Sequence, residues 1–449
     1  MNITLSETQQ LVFDKFLDGD NIFLTGPGGT GKTKLIQCIV DEAVSQNKRF
    51  QLCSLTGCSA ILLKRKAKTI HSWAGVGLLN GSIEKNVEKV CNNKYKRKNW
   101  LKTDILIVDE VSMMSLKLFE VLDKIGRIVK KKDIPFGGIQ LIFSGDFFQL
   151  PPVPTRGDKK SGQFCFESDL WDDTFDCQIE LKEIFRQNDI EFIKILLQIR
   201  MGKITKNSIN VLNKLVGKEI TKDIIIKPTR LYPLRKMVSN LNEYMMNSIE
   251  TELYEYSINT VDDITNLTDK NRLLRSKYSK KEIEFEYNYL MKNINCEQNL
   301  KLKVGAQVMS IVNYDLDCEA PICNGSQGII VDIMGGLPVV KFQNGIVKTI
   351  SRHVWESENI PGIGVSQIPL ILSWAITIHK SQGVTLDYAE IDIGSGIFEC
   401  GQTYVALSRV KNLEGVFLKS FDFTKIKVNK KVYMFYDKMS KMSKNIPKN

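Results

Sequence analysis

The run Gly26-Pro27-Gly28-Gly29-Thr30-Gly31-Lys32-Thr33 constrains the fold of this chain more than any other stretch. Ile22 to Thr25 before it have strand character, and Leu35, Ile36, Ile39 and Val40 after it recur at helical spacing. Strand, glycine-rich loop and helix in that order form the context of a phosphate-binding loop, and so of a parallel α/β sheet. The glycines let backbone N–H groups turn inward, and the helix start adds a partial positive charge facing a phosphate. Lys32 would reach the β- and γ-phosphates, while the Thr33 hydroxyl would hold Mg²⁺. The expectation is a nucleoside triphosphate site.

The 449 residues leave room for two to four domains. A net charge of +11 points toward a polyanionic partner, although much of the lysine travels with Asn and Ile as in an AT-rich genome. Ten cysteines without a CxxC pair indicate neither a zinc site nor a disulfide framework, and fit a reduced, intracellular compartment. No apolar run reaches membrane-spanning length, and the N-terminus has no signal or transit pattern, so a soluble nuclear or cytoplasmic chain is expected.

Ser6 and Gln9 form the two ends of a capping box opening the first helix. The Gln9 amide has a second available role, pairing with the edge of adenine. Phe50 to Gly57 reads as a strand ending in a turn that carries Thr56. The basic run Lys64-Arg65-Lys66-Ala67-Lys68 then meets Thr69-Ile70-His71-Ser72-Trp73, which suits either a nucleic-acid backbone or a solvated face. Lys94-Tyr95-Lys96-Arg97-Lys98 has the same two readings.

Asp104 to Glu110 is an apolar run ending in two carboxylates, as in a central parallel strand. Ligands bind at the carboxyl ends of such strands, so both acids would face the phosphates. Asp109 would hold Mg²⁺ through water and Glu110 would deprotonate the attacking water, with a helix over Ser115 to Ile128 following. Phe136 to Val153 is a third strand feeding a proline-stopped loop. There Gln149 is placed to sense the γ-phosphate, and Phe147 or Phe148 either faces a base or packs in the core.

Together these motifs resemble the Pif family (petite integration frequency) of superfamily 1 DNA helicases, relatives of RecD. The likeness rests on Leu5 to Gln9, the loop Gly26 to Thr33, Thr69 to Ser72, Asp109 to Met113 and the signature Pro135-Phe136-Gly137-Gly138-Ile139-Gln140-Leu141-Ile142. It implies an α/β protein of two RecA-like domains with parallel sheets and a small SH3-like β-barrel inserted in the second. ATP would lie between the domains and single-stranded DNA across them. The implied spans are 1–176 with a wedge near 73–101, then 177–246 with 367–440. The insertion would be 247–366, its barrel near 300–355, and 441–449 a basic tail.

The resemblance also assigns residues in the second half. Arg186, in Glu183-Ile184-Phe185-Arg186-Gln187, and Arg409, in Gly401 to Val410, would clamp the γ-phosphate, Arg186 when the domains close. In Trp374 to Gly383, Thr377, His379 and Lys380 would touch DNA, and Gln382 and Gly383 would face the nucleotide. Without the family pattern, His379 reads equally as an interior histidine. Arg235 and Asn242 resemble a further DNA-binding segment, alongside Thr56 and His71, although Leu234 stands where the family usually has Thr. Within the insertion, Asn247 to Asn299 is charged and weakly punctuated. Leu302 to Ile311, Gly328 to Ile333, Pro338 to Phe342 and Ile346 to Ile350 read as strands separated by turn signals.

The activity implied is that of a monomeric ATP-dependent, 5′-to-3′ DNA helicase acting on single strands and forked duplexes in replication, repair or recombination. An RNA-directed translocase, a DNA clamp with an inactive ATPase and a RecD-like subunit of a nuclease complex are the alternatives. No nuclease metal cluster is apparent, and intact Lys32, Asp109, Glu110 and both arginines speak against the clamp.

Overall fold

The computed structural model describes residues 5–56, 59–60, 63, 67–77, 79, 81–187, 189–219, 226–294, 296–312, 314, 322, 324–357 and 360–444. Most of the basic run at 64–68 therefore lies outside the described residues. The chain divides into two compact units, one of Met1–Asn213, Ile397–Leu413 and Phe421–Asn449, the other of Lys214–Gly396 and Glu414–Ser420.

The first unit is built on a six-stranded sheet. Its strands are β1 (Ile22–Thr25), β2 (Phe50–Ser54), β3 (Lys68–Thr69), β4 (Ile105–Asp109), β5 (Gln140–Ser144) and β6 (Cys177–Glu180). They run in the order β3-β2-β4-β5-β1-β6, all parallel. The apolar runs are continuous because both faces are covered. Ile22, Leu24, Ile105, Ile107 and Ile142 enter one core, while Phe23, Leu106, Val108, Leu141 and Phe143 enter the other. Strand β6 lies beyond the 1–176 span expected for this domain.

Helices α1 (Glu7–Asp18) and α2 (Lys32–Ser45) contribute to the first of these cores. The Ser6–Gln9 capping box is present, with the Ser6 amide donating to Gln9 Oε1 at 3.1 Å. The other core takes α3 (Ile70–Ala74), α4 (Ile83–Cys91), α5 (Lys94–Lys102) and α6 (Leu116–Lys130). Two of these, α4 and α5, occupy the expected wedge, where buried Trp73 and Trp100 have ring centroids 4.6 Å apart. The helix expected over Ser115 to Ile128 is α6, with Ser115 as its N-cap.

The signature at 135–142 forms a tight knuckle between α6 and β5. Phe136, Gly137 and Gly138 all have positive φ (49°, 66° and 79°). The Phe136 amide donates to the buried Asp123 carboxylate at 2.9 Å. A Cβ on Gly137 would lie 2.3 Å from the Gly126 carbonyl oxygen, so the two backbones touch directly. Beyond β5, Phe147 and Phe148 are core residues and face no base. Each is under a twentieth exposed, Phe147 stacking on Phe23 at 5.2 Å and Phe148 on Tyr436 at 4.7 Å. Then follow α7 (Trp171–Thr174), α8 (Ile190–Arg200) and α9 (Lys206–Lys214).

The second unit holds four sheets. Strands β7 (Thr229–Tyr232), β8 (Leu253–Ser257), β9 (Asn259–Asp262), β10 (Asn299–Lys303), β11 (Gln307–Ser310), β12 (Gln327–Met334) and β13 (Leu337–Phe342) are followed by β14 (Val347–Thr349), β15 (His353–Glu356), β16 (Ile363–Gln367), β17 (Leu370–Leu372), β18 (Ala375–Thr377), β19 (Ala389–Ile393) and β20 (Val416–Phe421). One sheet has the order β18-β7-β19-β20, with β18 and β19 parallel to β7. An antiparallel sheet, β14-β13-β12-β11-β17, stands where the barrel strands were expected, closed over Val308, Ile330, Val340, Phe342 and Leu370.

The strand expected over Leu302 to Ile311 is two strands. A turn from Lys303 to Ala306 breaks it, and β10 pairs instead with β8. Helix α10 (Arg235–Asn247) comes before the weakly punctuated stretch, which contains α11 (Asp269–Arg275) and α12 (Lys280–Asn293), the last opened by a Ser279–Glu282 capping box.

The chain then returns to the first unit as α13 (Gln402–Leu407) and α14 (Lys430–Lys444). Val432, Tyr436 and Met439 of α14 are buried in the core that also holds Phe23 and Phe147. Among the described residues no helix is long and apolar enough to cross a membrane.

Candidate active site

Several motifs of the first unit lie just past the carboxyl end of a parallel strand, the edge at which ligands bind in such sheets. The phosphate loop follows β1, Glu110 follows β4 and the Asp146–Gln149 turn follows β5. Thr56 and His71 follow the adjacent strands β2 and β3, paired through Ser54 and Thr69.

The loop is held from several sides. Gln9 Oε1 accepts from the Ser6 amide to cap α1, and its Nε2 donates to the Thr30 carbonyl of the loop at 3.3 Å. Gly29 has φ 89°, and a Cβ there would lie 2.7 Å from that of Arg186, so only glycine fits. The Phe185 amide donates to the Gly29 carbonyl at 2.8 Å, and the half-exposed Phe185 ring lies beside Gly31, where it can stack on a base. The Gly28 amide donates to the Tyr404 hydroxyl at 2.8 Å. Lys32 folds back on its own loop, its ammonium donating to the carbonyls of Gly26 (2.6 Å) and Pro27 (2.9 Å). Burial holds its pKa below the usual lysine value, against the pull of Asp146, Asp109 and Glu110.

Burial raises the Asp109 carboxyl, opposed by the Ser144 hydroxyl, the Glu110 amide, Lys32 and the Thr33 hydroxyl. The nearness of Thr33 to Asp109 gives an oxygen pair of the kind that holds Mg²⁺ together with phosphates. Glu110 takes a left-handed backbone conformation (φ 59°, ψ 38°), the strain found where a side chain must be aimed. Its amide donates to Asp109 Oδ1 at 2.9 Å.

Arg186 and Arg409 both belong to this same unit. Burial lowers the pKa of each, and Arg186 pushes Arg409 down further, to about 10. Arg409 is held by the Val405 carbonyl at 2.9 Å and Ser408 Oγ at 2.8 Å. A half-buried and a buried guanidinium beside an ammonium-bearing loop repel each other, an arrangement suited to a polyanion. Gln149 is buried in the turn closed by its amide on the Asp146 carbonyl, 2.8 Å away.

Sequence reading missed part of this assembly. Asp146 forms a buried ion pair with Arg200 (2.9 and 3.0 Å), and Arg200 also reaches Glu180 at 3.1 Å. Tyr404 and Tyr436 complete it. Arg200 could have been noticed as a charge on the stripe Phe192, Leu196, Arg200 of an otherwise apolar helix face.

The second unit carries the remaining candidates. Arg235 opens α10 in the open, and its charge together with burial holds His379 below the usual histidine range. Lys380 is exposed, while Thr377 is buried and caps the following turn through the Lys380 amide at 3.2 Å. Gln382 is buried and Gly383 has φ 82°. Asn242 is committed to the backbone of β18, accepting from the Ala375 amide at 2.9 Å and donating to its carbonyl at 3.1 Å.

The sequence profile described as PIF1-like helicase matches residues 4–210, and that described as DNA helicase Pif1, 2B domain, matches 285–333. The crystal structure of Pif1 helicase from Candida albicans superposes with a TM-score of 0.77 at 32% identity, over 97% of this chain and all of that one. The chain belongs to the PIF1-like helicase family. Bacteroides sp Pif1 in complex with ADP-AlF4 is similar at 29% identity and a TM-score of 0.78, covering 98% of both chains. ATP-dependent DNA helicase PIF1 of Xenopus laevis is 36% identical over 98% of this chain. The chain spans 65% of that relative, under two thirds of its length. The parallel strands of each unit are those of the α/β, two-domain architecture of PIF1-like helicases.

Proposed function

We propose that this protein is an ATP-dependent DNA helicase that moves 5′ to 3′ along single-stranded DNA and opens forked duplexes. The observation that carries the reading is the assembly of Lys32, Asp109, Glu110, Arg186 and Arg409 around one phosphate loop within one compact unit. Backbone amides from Gly28 to Thr33 cradle the phosphates, and Lys32 turns from its own loop carbonyls to the β- and γ-phosphates. Thr33 and Asp109 hold Mg²⁺, which neutralises phosphate charge when bound. Glu110 takes the proton of the attacking water. Arg186, Arg409 and Gln149 contact the transferred γ-phosphoryl group, with Gln9 and Phe185 on the base.

In the second unit Arg235, His379 and Lys380 grip DNA phosphates, and in the first Thr56 and His71 have that role. Direction and substrate follow the family; the +11 net charge suits the polyanion. The test is steady-state ATPase with and without single-stranded DNA, for the wild type and Glu110→Gln. Strong stimulation that Glu110→Gln abolishes supports the motor. DNA binding without wild-type ATPase would overturn it in favour of a clamp, and preferential stimulation by RNA would redirect it.

A further inference from the structure

Behind the phosphate loop a single phenol joins two of the catalytic segments. Tyr436 Oη lies 2.5 Å from Thr25 Oγ1, the last residue of β1 before the loop. It also accepts from the Phe147 amide at 3.2 Å and lies 3.3 Å from Asp146 Oδ1, both in the turn that presents Gln149. Hydrogen-bond chemistry fixes the directions. A carboxylate only accepts, so the tyrosyl proton goes to Asp146 and the Thr25 hydroxyl donates to the phenol, which is then fully satisfied. Burial and Asp146 keep the phenol protonated.

Arg200 holds both oxygens of the same carboxylate, at 2.9 and 3.0 Å, and lies over the rings of Phe148 at 4.6 Å and Tyr436 at 5.3 Å. The phenol cannot drift, because Phe435 beside it packs on Phe166, Phe147 and Phe23 at 4.4, 5.4 and 5.9 Å. Tyr436 touches no reacting atom. We infer that Tyr436 is a positioning residue for ATP hydrolysis, setting the γ-phosphate-sensing Gln149 turn against the phosphate loop through Thr25 and Asp146. The inference rests on the ATPase activity proposed above. A fixed spacing between loop and sensor matters because small misplacements of catalytic groups cost up to about 10²-fold in rate.

Tyr436→Phe keeps the ring and its stacking and removes only the hydroxyl. In the full chain, with saturating single-stranded DNA and below the melting temperature of each variant, it is expected to lower kcat for ATP about tenfold while KM stays within about twofold. Thr25→Val should reproduce that loss and Thr25→Ser should restore kcat. The double variant Tyr436→Phe/Thr25→Val should be no worse than either alone, since both cut one link. Should Tyr436→Phe fail to fold, the Thr25 pair decides alone. A kcat within twofold of wild type in the hydroxyl-deleting variants overturns the inference, as does a loss confined to KM or to melting temperature. A wild type without DNA-stimulated ATPase overturns the ATPase reading itself, and the positioning role with it.

Discussion

The Gly28 amide donates to the Tyr404 hydroxyl at 2.8 Å, across 376 residues of sequence. That amide is one of those a phosphate must use, and burial pushes the Tyr404 phenol up to about 12, so it stays neutral and able to accept. Phenol and phosphate therefore compete for one donor. Tyr404→Phe removes the competitor, and a net hydrogen bond of about 0.5–1.5 kcal/mol translates into an affinity gain of about two- to tenfold. Titration with a fluorescent ATP analogue measures it. Weaker binding would show that the phenol supports the bound state instead.

Arg186 and Arg409 pay a desolvation cost together that a triphosphate relieves, so their effect should appear in turnover. Arg186→Ala and Arg409→Ala should each lower kcat about 10³-fold, in line with arginine fingers elsewhere. Lysine at either place should recover little, because the planar fork is lost. Single-turnover hydrolysis with nucleotide binding measured alongside separates this from a loss of affinity.

His379 is held below the usual histidine range by burial and Arg235, so its ring is neutral at pH 7. A DNA phosphate favours the charged ring, so binding takes up a proton and affinity should strengthen as pH falls below about 6.5. Anisotropy titrations from pH 5.5 to 8 at fixed salt should show that slope, reduced in His379→Asn. Folding stability moves the opposite way. His71 and His379 are both depressed in the folded state, so the unfolded chain protonates first. Their contribution is complete above pH 6.5 and declines as pH falls through that value toward the folded pKa. Chemical denaturation at pH 7.5 and 5.5 checks the sign.

Exposed Lys380 and committed Asn242 should separate cleanly. Lys380→Ala is expected to reduce the slope of log affinity against log salt by about 0.7, with stability unchanged. Asn242→Ala leaves the Ala375 peptide without partners and should cost about 1–3 kcal/mol of stability. Salt titrations and denaturant melts on the same two variants distinguish grip from scaffold. A salt-slope change in Asn242→Ala at full stability would return that residue to the DNA surface.

The elements legible in the sequence are those whose cause is local. The phosphate loop, the apolar strand ending at Asp109, the Ser6–Gln9 box and the helix after Ser115 each carry their physics within a few residues. What stayed hidden depends on partners far along the chain. Arg200 finds Asp146 54 residues away, and Asn242 finds Ala375 133 residues away. The apolar stripe around Arg200 marks a buried charge but not its partner, and nothing near Asn242 marks its bond. The strand at 302–311 misled because its alternation continues through the turn at Val304 and Gly305, and only pairing shows that its halves join different sheets. The helices at 269–293 carry thin apolar stripes, which pattern alone reads as charged linker.

The bond between Thr25 and Tyr436 spans 411 residues, so the phosphate-loop unit is finished by a segment synthesised long after β1. At about 5–20 residues per second, β1 waits on the order of 20–80 seconds for the helix that completes its core. Until then the face of Phe23 and Phe147 lacks its cover, exposing an aromatic surface to chaperones in the nascent chain. A message truncated after residue 213 encodes all six strands of the sheet yet leaves out the wall that closes it.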